Sequence, residues 1–270
     1  MRIIFGLCLS LLWAVAAFAQ ERITNFDVDI QVETSGDIVI TETLGVISEG
    51  QAIRRGIFRE LPANYTFMGV KQTYDYDLLS VTRNGQNEPF SISFNGNAET
   101  WRIGQRDVFL DPGLHTYEIR YRVPDAVRRH NDKDEVYWNA TGNYLQFPIE
   151  RANSTVTFPL GADIFETAAY TGGFGQSGSD YTAETAGNQV TFQATRTLRP
   201  GEGLTVAASI QKGVIDPLSD ARLRELWWIR NGGAVILGIG GILIFAYYFV
   251  AWSLIGRDPP KPPVFARYEP

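Results

Sequence analysis

Apolar and polar residues alternate with period two along most of this chain. From Thr24 onward, Phe26, Val28, Ile30 and Val32 alternate with Asn25, Asp27, Asp29, Gln31 and Glu33, the signature of a half-buried strand. Thr34-Ser35-Gly36-Asp37 supplies a turn, and residues 38–44 return as a second strand. Further strands are predicted over 70–79, with Tyr74, Tyr76 and Leu78 in alternation, and through Val81-Thr82-Arg83 to an Asn84-Gly85 hairpin. The same pattern continues at Phe90, Ile92 and Phe94, at Trp101 and Ile103, at Val108 and Leu110, and most clearly at Tyr117, Ile119, Tyr121 and Val123. After a charged loop over 128–135 come Val136-Tyr137-Trp138-Asn139, Val156-Thr157-Phe158, Ile164-Phe165, residues 189–193 and residues 203–208. Short strands broken by Gly and Asn turns, with no helical window before residue 218, predict an all-β fold: an antiparallel β-sandwich ectodomain. An aromatic content of 13% suits a core of Phe, Tyr and Trp on pleated surfaces.

The pattern changes near the carboxyl end. Ser219 is placed to cap a helix beginning at Asp220, and no charged residue interrupts the chain between Arg230 and Arg257. Twelve of residues 234–255 are Val, Ile, Leu or Phe. A helix of that length rises roughly 33 Å, enough for a hydrocarbon core of about 30 Å. A single transmembrane α-helix is therefore expected over 232–255, with the lipid bilayer as its partner. Trp227, Trp228 and Trp252 fall at its two headgroup levels. Ala234, Gly238 and Gly241 give it a small-residue face on which a homodimer through the span is conceivable.

The first 19 residues have the layout of a secretory signal peptide: Arg2, an apolar run, and Ala17-Phe18-Ala19 before Gln20. Removing Arg2 with it takes the net charge from −6 to −7, and a mildly acidic domain argues against nucleic acid as a partner. Cys8, the single cysteine, leaves with the signal, which excludes disulfides and thiolate chemistry from the rest. Arg222, Arg224 and Arg230 before the span balance Arg257, Lys261 and Arg267 after it, so the charge rule gives no orientation. The signal does. It predicts a single-pass protein of the plasma (inner) membrane with its β domain extracytoplasmic or periplasmic. The expected divisions are signal peptide 1–19, β-sandwich 20–213, juxtamembrane helix or linker 214–231, span 232–255, and a cytoplasmic Pro-rich segment 256–270 extending as polyproline II.

Candidate chemistry is sparse. Glu42 falls in phase with Ile38, Ile40 and Leu44 on the face expected to be buried, and a buried carboxylate needs a partner. The stretch Arg54-Arg55-Gly56-Ile57-Phe58-Arg59 offers either a structural ion pair, through Arg55 or Arg59, or an anionic-ligand site on the same arginines. With Trp138 these make Glu42, Arg55 and Arg59 the candidate ligand-binding or ion-pair residues. Asp132, Asp134 and Glu135 lack the spacing of a calcium loop, and no metal or cofactor is called for. Tyr170-Thr171-Gly172-Gly173-Phe174-Gly175-Gln176-Ser177-Gly178 lacks the helix start of a phosphate cradle and is expected to be a flexible loop. His115 is expected as a half-buried edge residue, and His130 joins no nucleophile pattern. An interaction module that binds an envelope protein or polysaccharide fits best. The alternatives are an envelope hydrolase using carboxylates near Glu42, Arg55, Arg59 and Glu150, and a ligand sensor signalling through the span.

Several stretches taken in order carry a family resemblance: Val39-Ile40-Thr41-Glu42-Thr43, Arg55-Gly56-Ile57-Phe58-Arg59-Glu60-Leu61-Pro62, Tyr137-Trp138-Asn139 with Gly142-Asn143, Pro148-Ile149-Glu150, Tyr170-Thr171-Gly172, Leu198-Arg199-Pro200-Gly201-Glu202-Gly203-Leu204-Thr205, and Gly256-Arg257-Asp258-Pro259 running to Arg267-Tyr268-Glu269-Pro270. The set resembles the domain-of-unknown-function 2207 family of bacterial membrane proteins. The resemblance implies a signal peptide, an extracytoplasmic β domain and a span. It implies no activity or catalytic residue, and it implies a continuation beyond the Arg-Tyr-Glu-Pro stretch.

Overall fold

A computed structural model of the chain describes residues 21–67, 70–256, 261 and 263. The signal peptide expected over 1–19, and all of the Pro-rich segment but Gly256, Lys261 and Pro263, lie outside the described residues. In chain order the strands are β1 (Arg22–Val32), β2 (Ile38–Ser48), β3 (Ile57–Pro62), β4 (Asn64–Phe67), β5 (Val70–Thr73), β6 (Asp77–Arg83), β7 (Gln86–Asn87), β8 (Phe90–Phe94) and β9 (Ala98–Ile103). They continue as β10 (Gly113–Val123), β11 (Arg128–Arg129), β12 (Lys133–Asn139), β13 (Ala152–Thr157), β14 (Ile164–Gly172), β15 (Tyr181–Ala186), β16 (Gln189–Ala194) and β17 (Gly203–Gln211), and one helix follows, α1 (Asp220–Ile255). Two units result, one ending at Asp216 and one beginning at Pro217.

The first unit is an all-β sandwich. Its larger layer is an eight-stranded sheet in the order β15-β16-β13-β1-β2-β10-β6-β7. The other layer combines a four-stranded sheet, β11-β12-β17-β14, with a three-stranded one, β3-β9-β8, while β4 and β5 form a separate hairpin. Every pairing is antiparallel except that of β1 with β13. Register explains the core. Phe26 stands opposite Leu44, which stands opposite Tyr117; Ile30, Ile40 and Tyr121 form the next such row but one. Because neighbours across a sheet share a face, these rows bury one side of the sheet, and each of these six side chains is at most 1% exposed. The alternate positions between them, Asp27, Thr43 and Glu118 among them, make the polar outer face.

Two local devices fix the ends. The Glu21 carboxylate accepts hydrogen bonds of 2.8–3.2 Å from the backbone N–H groups of Glu49, Gln51, Ala52 and Ile53, pinning the start of β1 to the segment after β2. Gly56 lets β3 leave that segment: its φ is +117°, and a Cβ there would sit 1.8 Å from the Ile103 carbonyl oxygen.

Five expectations are corrected. The strand expected over 70–79 is interrupted at residues 74–76, where Tyr74 and Tyr76 turn against core aromatics instead of alternating across a sheet. Val108 and Leu110 lie in a loop; Leu110 is buried there, its N–H bonded to Arg54 O. The charged stretch 128–135 is not a solvated loop but the β11–β12 hairpin, whose Asp134 is buried and held by Lys212 Nζ at 2.6 Å. His115 is buried rather than half-buried: it lies beyond the end of the β6 pairing, which starts at Tyr117, yet its ring is covered, with Nε2 2.8 Å from Asp111 O. The glycine-rich loop is closed by a Thr171–Gly178 bridge with bonds of 2.9 and 2.8 Å in both directions, so its base is fixed.

The second unit carries α1, one continuous helix of 36 residues capped by Ser219, whose side chain accepts from Arg222 N–H. It is long and apolar enough to cross a membrane, and none of its most apolar stretch is buried in protein, as a core helix of a soluble domain would be.

Candidate functional site

Glu42 enters the core because β2 gives it no alternative. Its neighbours across the sheet, Val28 and Ile119, both face inward, and a period of two puts Glu42 on the same side. Arg59 comes from β3 in the opposite layer. Its Nε donates to Glu42 Oε2 at 2.7 Å and its Nη2 to Oε1 at 2.8 Å, a bidentate pair with both side chains essentially unexposed. The remaining guanidinium protons go to Ala140 O at 3.2 Å, Thr141 O at 3.0 Å and, longer, Glu60 O at 3.5 Å. Tyr121 on β10 donates to Glu42 Oε1 at 2.6 Å. Arg59 thus joins the eight-stranded sheet, the three-stranded sheet and the segment leaving the four-stranded one.

Electrostatics fix these charge states. Burial by itself would lower the pKa of Arg59, but the facing Glu42 carboxylate holds it above the usual arginine value. Burial, reinforced by Glu42, pushes the Tyr121 phenol well above its ordinary range, so it stays a donor. Burial also raises Tyr76, its neighbour in this aromatic layer. All five guanidinium protons are committed, and both carboxylate oxygens accept. With Glu42 0% and Arg59 1% exposed, burial closes the pair to a substrate.

The other candidates fall elsewhere. Arg55 stays outside this pair, its guanidinium 4.3 Å from the centre of the Phe109 ring. Glu150 is exposed and paired with Arg22 at 2.7 Å. Of the four residues of the hydrolase alternative, only Glu42 and Arg59 meet, and they pair with each other. Trp138, on β12, is 5% exposed and packs edge-on to Tyr74 at 5.3 Å. Its Nε1–H is buried without a hydrogen-bond acceptor among the described residues.

Trp138 stands in the wall of a cleft of about 920 Å3, near the upper end of the roughly 300–1,000 Å3 range of ligand pockets. Arg59 closes part of its floor; Tyr74, Tyr170, Asn143, Phe174 and Gln176 complete the walls. The rim is organised by amides. Asn139 Nδ2 donates to Asn143 Oδ1 at 2.7 Å, and Asn143 Nδ2 donates to Gly172 O at 2.9 Å, tying the end of β12 to the glycine-rich loop. Gln176 Oε1 accepts from Gly173 N–H at 2.9 Å, and Phe174 at the loop tip is 91% exposed. Among the described residues no carboxylate lines the cleft, and Arg128 at its edge lies over the Tyr137 ring at 4.1 Å and 3.6 Å from Glu135. Sequence reasoning singled out Trp138 but not Tyr74, Tyr170 or Phe174. The one usable signal was an aromatic residue set inside a glycine-rich loop.

Fold and site together define an all-β domain with an aromatic cleft, followed by an apolar helix long enough to span a membrane. The chain belongs to the family described as predicted membrane protein (DUF2207), N-terminal domain, which it matches over residues 22–210. The uncharacterized protein YciQ of Escherichia coli (strain K12) is 30% identical over 140 residues, covering 52% of this chain and 22% of YciQ. The matched stretch thus spans about a fifth of that relative's length. Among solved structures, the chain is similar to yeast LTA4 hydrolase in complex with bestatin, at 11% identity and a TM-score of 0.44 over 69% of this chain and 28% of that one. It is also similar to an M1 zinc metallopeptidase from Deinococcus radiodurans, at 13% identity and a TM-score of 0.36 over 69% and 42% of the two chains.

Proposed function

We propose that this is a single-pass protein of the plasma membrane whose β domain lies on the extracytoplasmic side, is preceded by a cleaved signal peptide, and serves as an interaction module for an envelope component held in the cleft over Trp138. One observation carries the proposal. The ionisable pair that would have supplied chemistry is buried and internally paired, whereas the adjoining cleft is roomy and aromatic, with the unpaired indole N–H of Trp138 buried in its wall. The same observation weighs against the hydrolase alternative, because Glu42 is buried and paired with Arg59, out of reach of water or substrate. Orientation rests on the signal sequence, since arginines and lysines balance across the span.

The test is photocrosslinking in living cells with the full chain carrying benzoylphenylalanine in place of Phe174. An ultraviolet-dependent adduct with an envelope component is expected, and it should disappear when Tyr170 is also changed to Ala. A phosphatase reporter fused after Asp216 should be active. Absence of any adduct, or an inactive phosphatase fusion, would overturn the proposal.

A further inference from the structure

Resting on that assignment of the cleft, we infer that its ligand is a neutral glycan strand, gripped by aromatic rings and by the indole N–H of Trp138. Charge is the first ground. Among the described residues the lining contains no Asp, Glu or Lys, and its two arginines are neutralised, Arg59 by Glu42 at 2.7 Å and Arg128 by Glu135 at 3.6 Å. A strongly charged ligand would lose its hydration there with no free counter-charge to replace it. A ligand of hydroxyl groups loses far less.

Surface chemistry is the second ground. Tyr74, Trp138, Tyr170 and Phe174 present ring surface, and a sugar ring carries an apolar face of C–H groups that packs on such rings while its hydroxyls reach outward. Tyr170 and Phe174 are free to do this, at 36% and 91% exposed. A fixed hydrogen-bond donor is the third. Trp138 Nε1–H is buried with no acceptor among the described residues, a state that is unfavourable until a partner arrives. An indole only donates, and a sugar hydroxyl or ring oxygen accepts. The volume, about 920 Å3, suits an oligomer better than a single ring, and the loop that carries Phe174 is closed at its base by the Thr171–Gly178 bridge.

The experiment uses the full chain in detergent micelles, titrated by calorimetry with chitotetraose and, separately, with tetra-alanine as a neutral peptide. Saturable heat with chitotetraose and none with tetra-alanine is expected. Trp138→Phe, which keeps a ring and removes the donor, should weaken binding about 5- to 10-fold. Tyr170→Ala, at a half-exposed position outside the core, should weaken it by a similar factor while the circular dichroism spectrum is unchanged. Binding of tetra-alanine alone would overturn the inference in favour of a peptide ligand. No binding of either probe would overturn it too, and persistence of the Phe174 crosslink in that case would show that the cleft is used for another chemistry. Glycan binding that neither substitution affects would place the sugar elsewhere on the protein and also sink the proposal.

Discussion

Tyr121 and Glu42 sit on adjacent strands of the same sheet, and the phenol hydroxyl meets Glu42 Oε1 at 2.6 Å on the side that Arg59 leaves open. The carboxylate is thereby held from two directions, by a cation from the opposite layer and by a neutral donor from its own. Tyr121→Phe deletes only the second. Because a hydrogen bond to a charged group contributes about 1.5–3 kcal/mol, that much stability should be lost in urea unfolding of the full chain in micelles.

Breaking the ion pair should cost more. Arg59→Ala leaves Glu42 buried without its cation and two carbonyls without a donor, and a loss of about 3–5 kcal/mol is expected. Glu42→Ala should cost a similar amount. The double variant should lose well less than the sum of the two losses, since neither charge is then stranded. Strict additivity in that cycle would show that the two residues do not act as a pair.

Gly142 is the point where backbone geometry and the pair meet. Its φ is +76°, and a Cβ there would lie 2.6 Å from Arg59 Nη1, which is fixed by its bond to Thr141 O. Gly142→Ala should therefore destabilise by about 1–3 kcal/mol, more than an exposed glycine at positive φ such as Gly187, whose Cβ would meet nothing. Matched urea curves for the two variants decide it.

Two carboxylates should shape the pH profile in opposite senses. Burial would raise the pKa of Glu21, but backbone N–H groups from Ile53, Ala52, Glu49 and Gln51 bring it below the usual carboxylate value. Its contribution is full above the unfolded pKa of about 4.3 and fades as pH falls through the lower folded value. Glu21→Gln should thus be less stable than the parent at pH 7, with the gap closing below pH of about 4. Asp29 is raised, first by burial and then by Asp27, so it opposes folding once pH climbs past its unfolded pKa of about 3.9. Asp29→Asn should be the more stable variant at pH 7 and no better at low pH.

For α1, a charge near the middle of the apolar stretch is diagnostic. Leu243→Lys exchanges a favourable residue for one costing about 2.5–3.5 kcal/mol at the bilayer centre. Microsome insertion assays should show a clear drop in the inserted fraction, whereas Leu223→Lys, near the helix start, should leave it unchanged.

The sequence made the large sheet legible because β1, β2 and β10 each bury one face completely, which is the condition under which alternation appears. Glu42 could be placed by phase alone, and the choice of partner narrowed to two arginines; β3 register then selects Arg59, which points inward beside Leu61. Alternation misled where burial did not follow it. Phe90, Ile92 and Phe94 alternate as expected in β8, yet every residue of that strand is exposed, because it is the outer strand of a three-stranded sheet. β15 escaped notice for the converse reason: Tyr181-Thr182-Ala183-Glu184-Thr185-Ala186 forms a strand with hardly any apolar side chain to mark it. The cleft was largely invisible, since Tyr74, Trp138 and Phe174 come together only through packing between segments far apart in sequence.

The parallel pairing of β1 with β13 has a temporal consequence. Asp27 and its hydrogen-bonded neighbour Asn153 are separated by 126 residues, so during synthesis the first strand of the domain emerges long before the neighbour that will cover one of its edges. Its other edge can zip to β2 almost at once. Until more than half of the chain has been made, the nascent domain carries an unpaired, apolar-faced strand border that invites mispairing with other chains, and its completion should be slow and helped by chaperones that shield such borders.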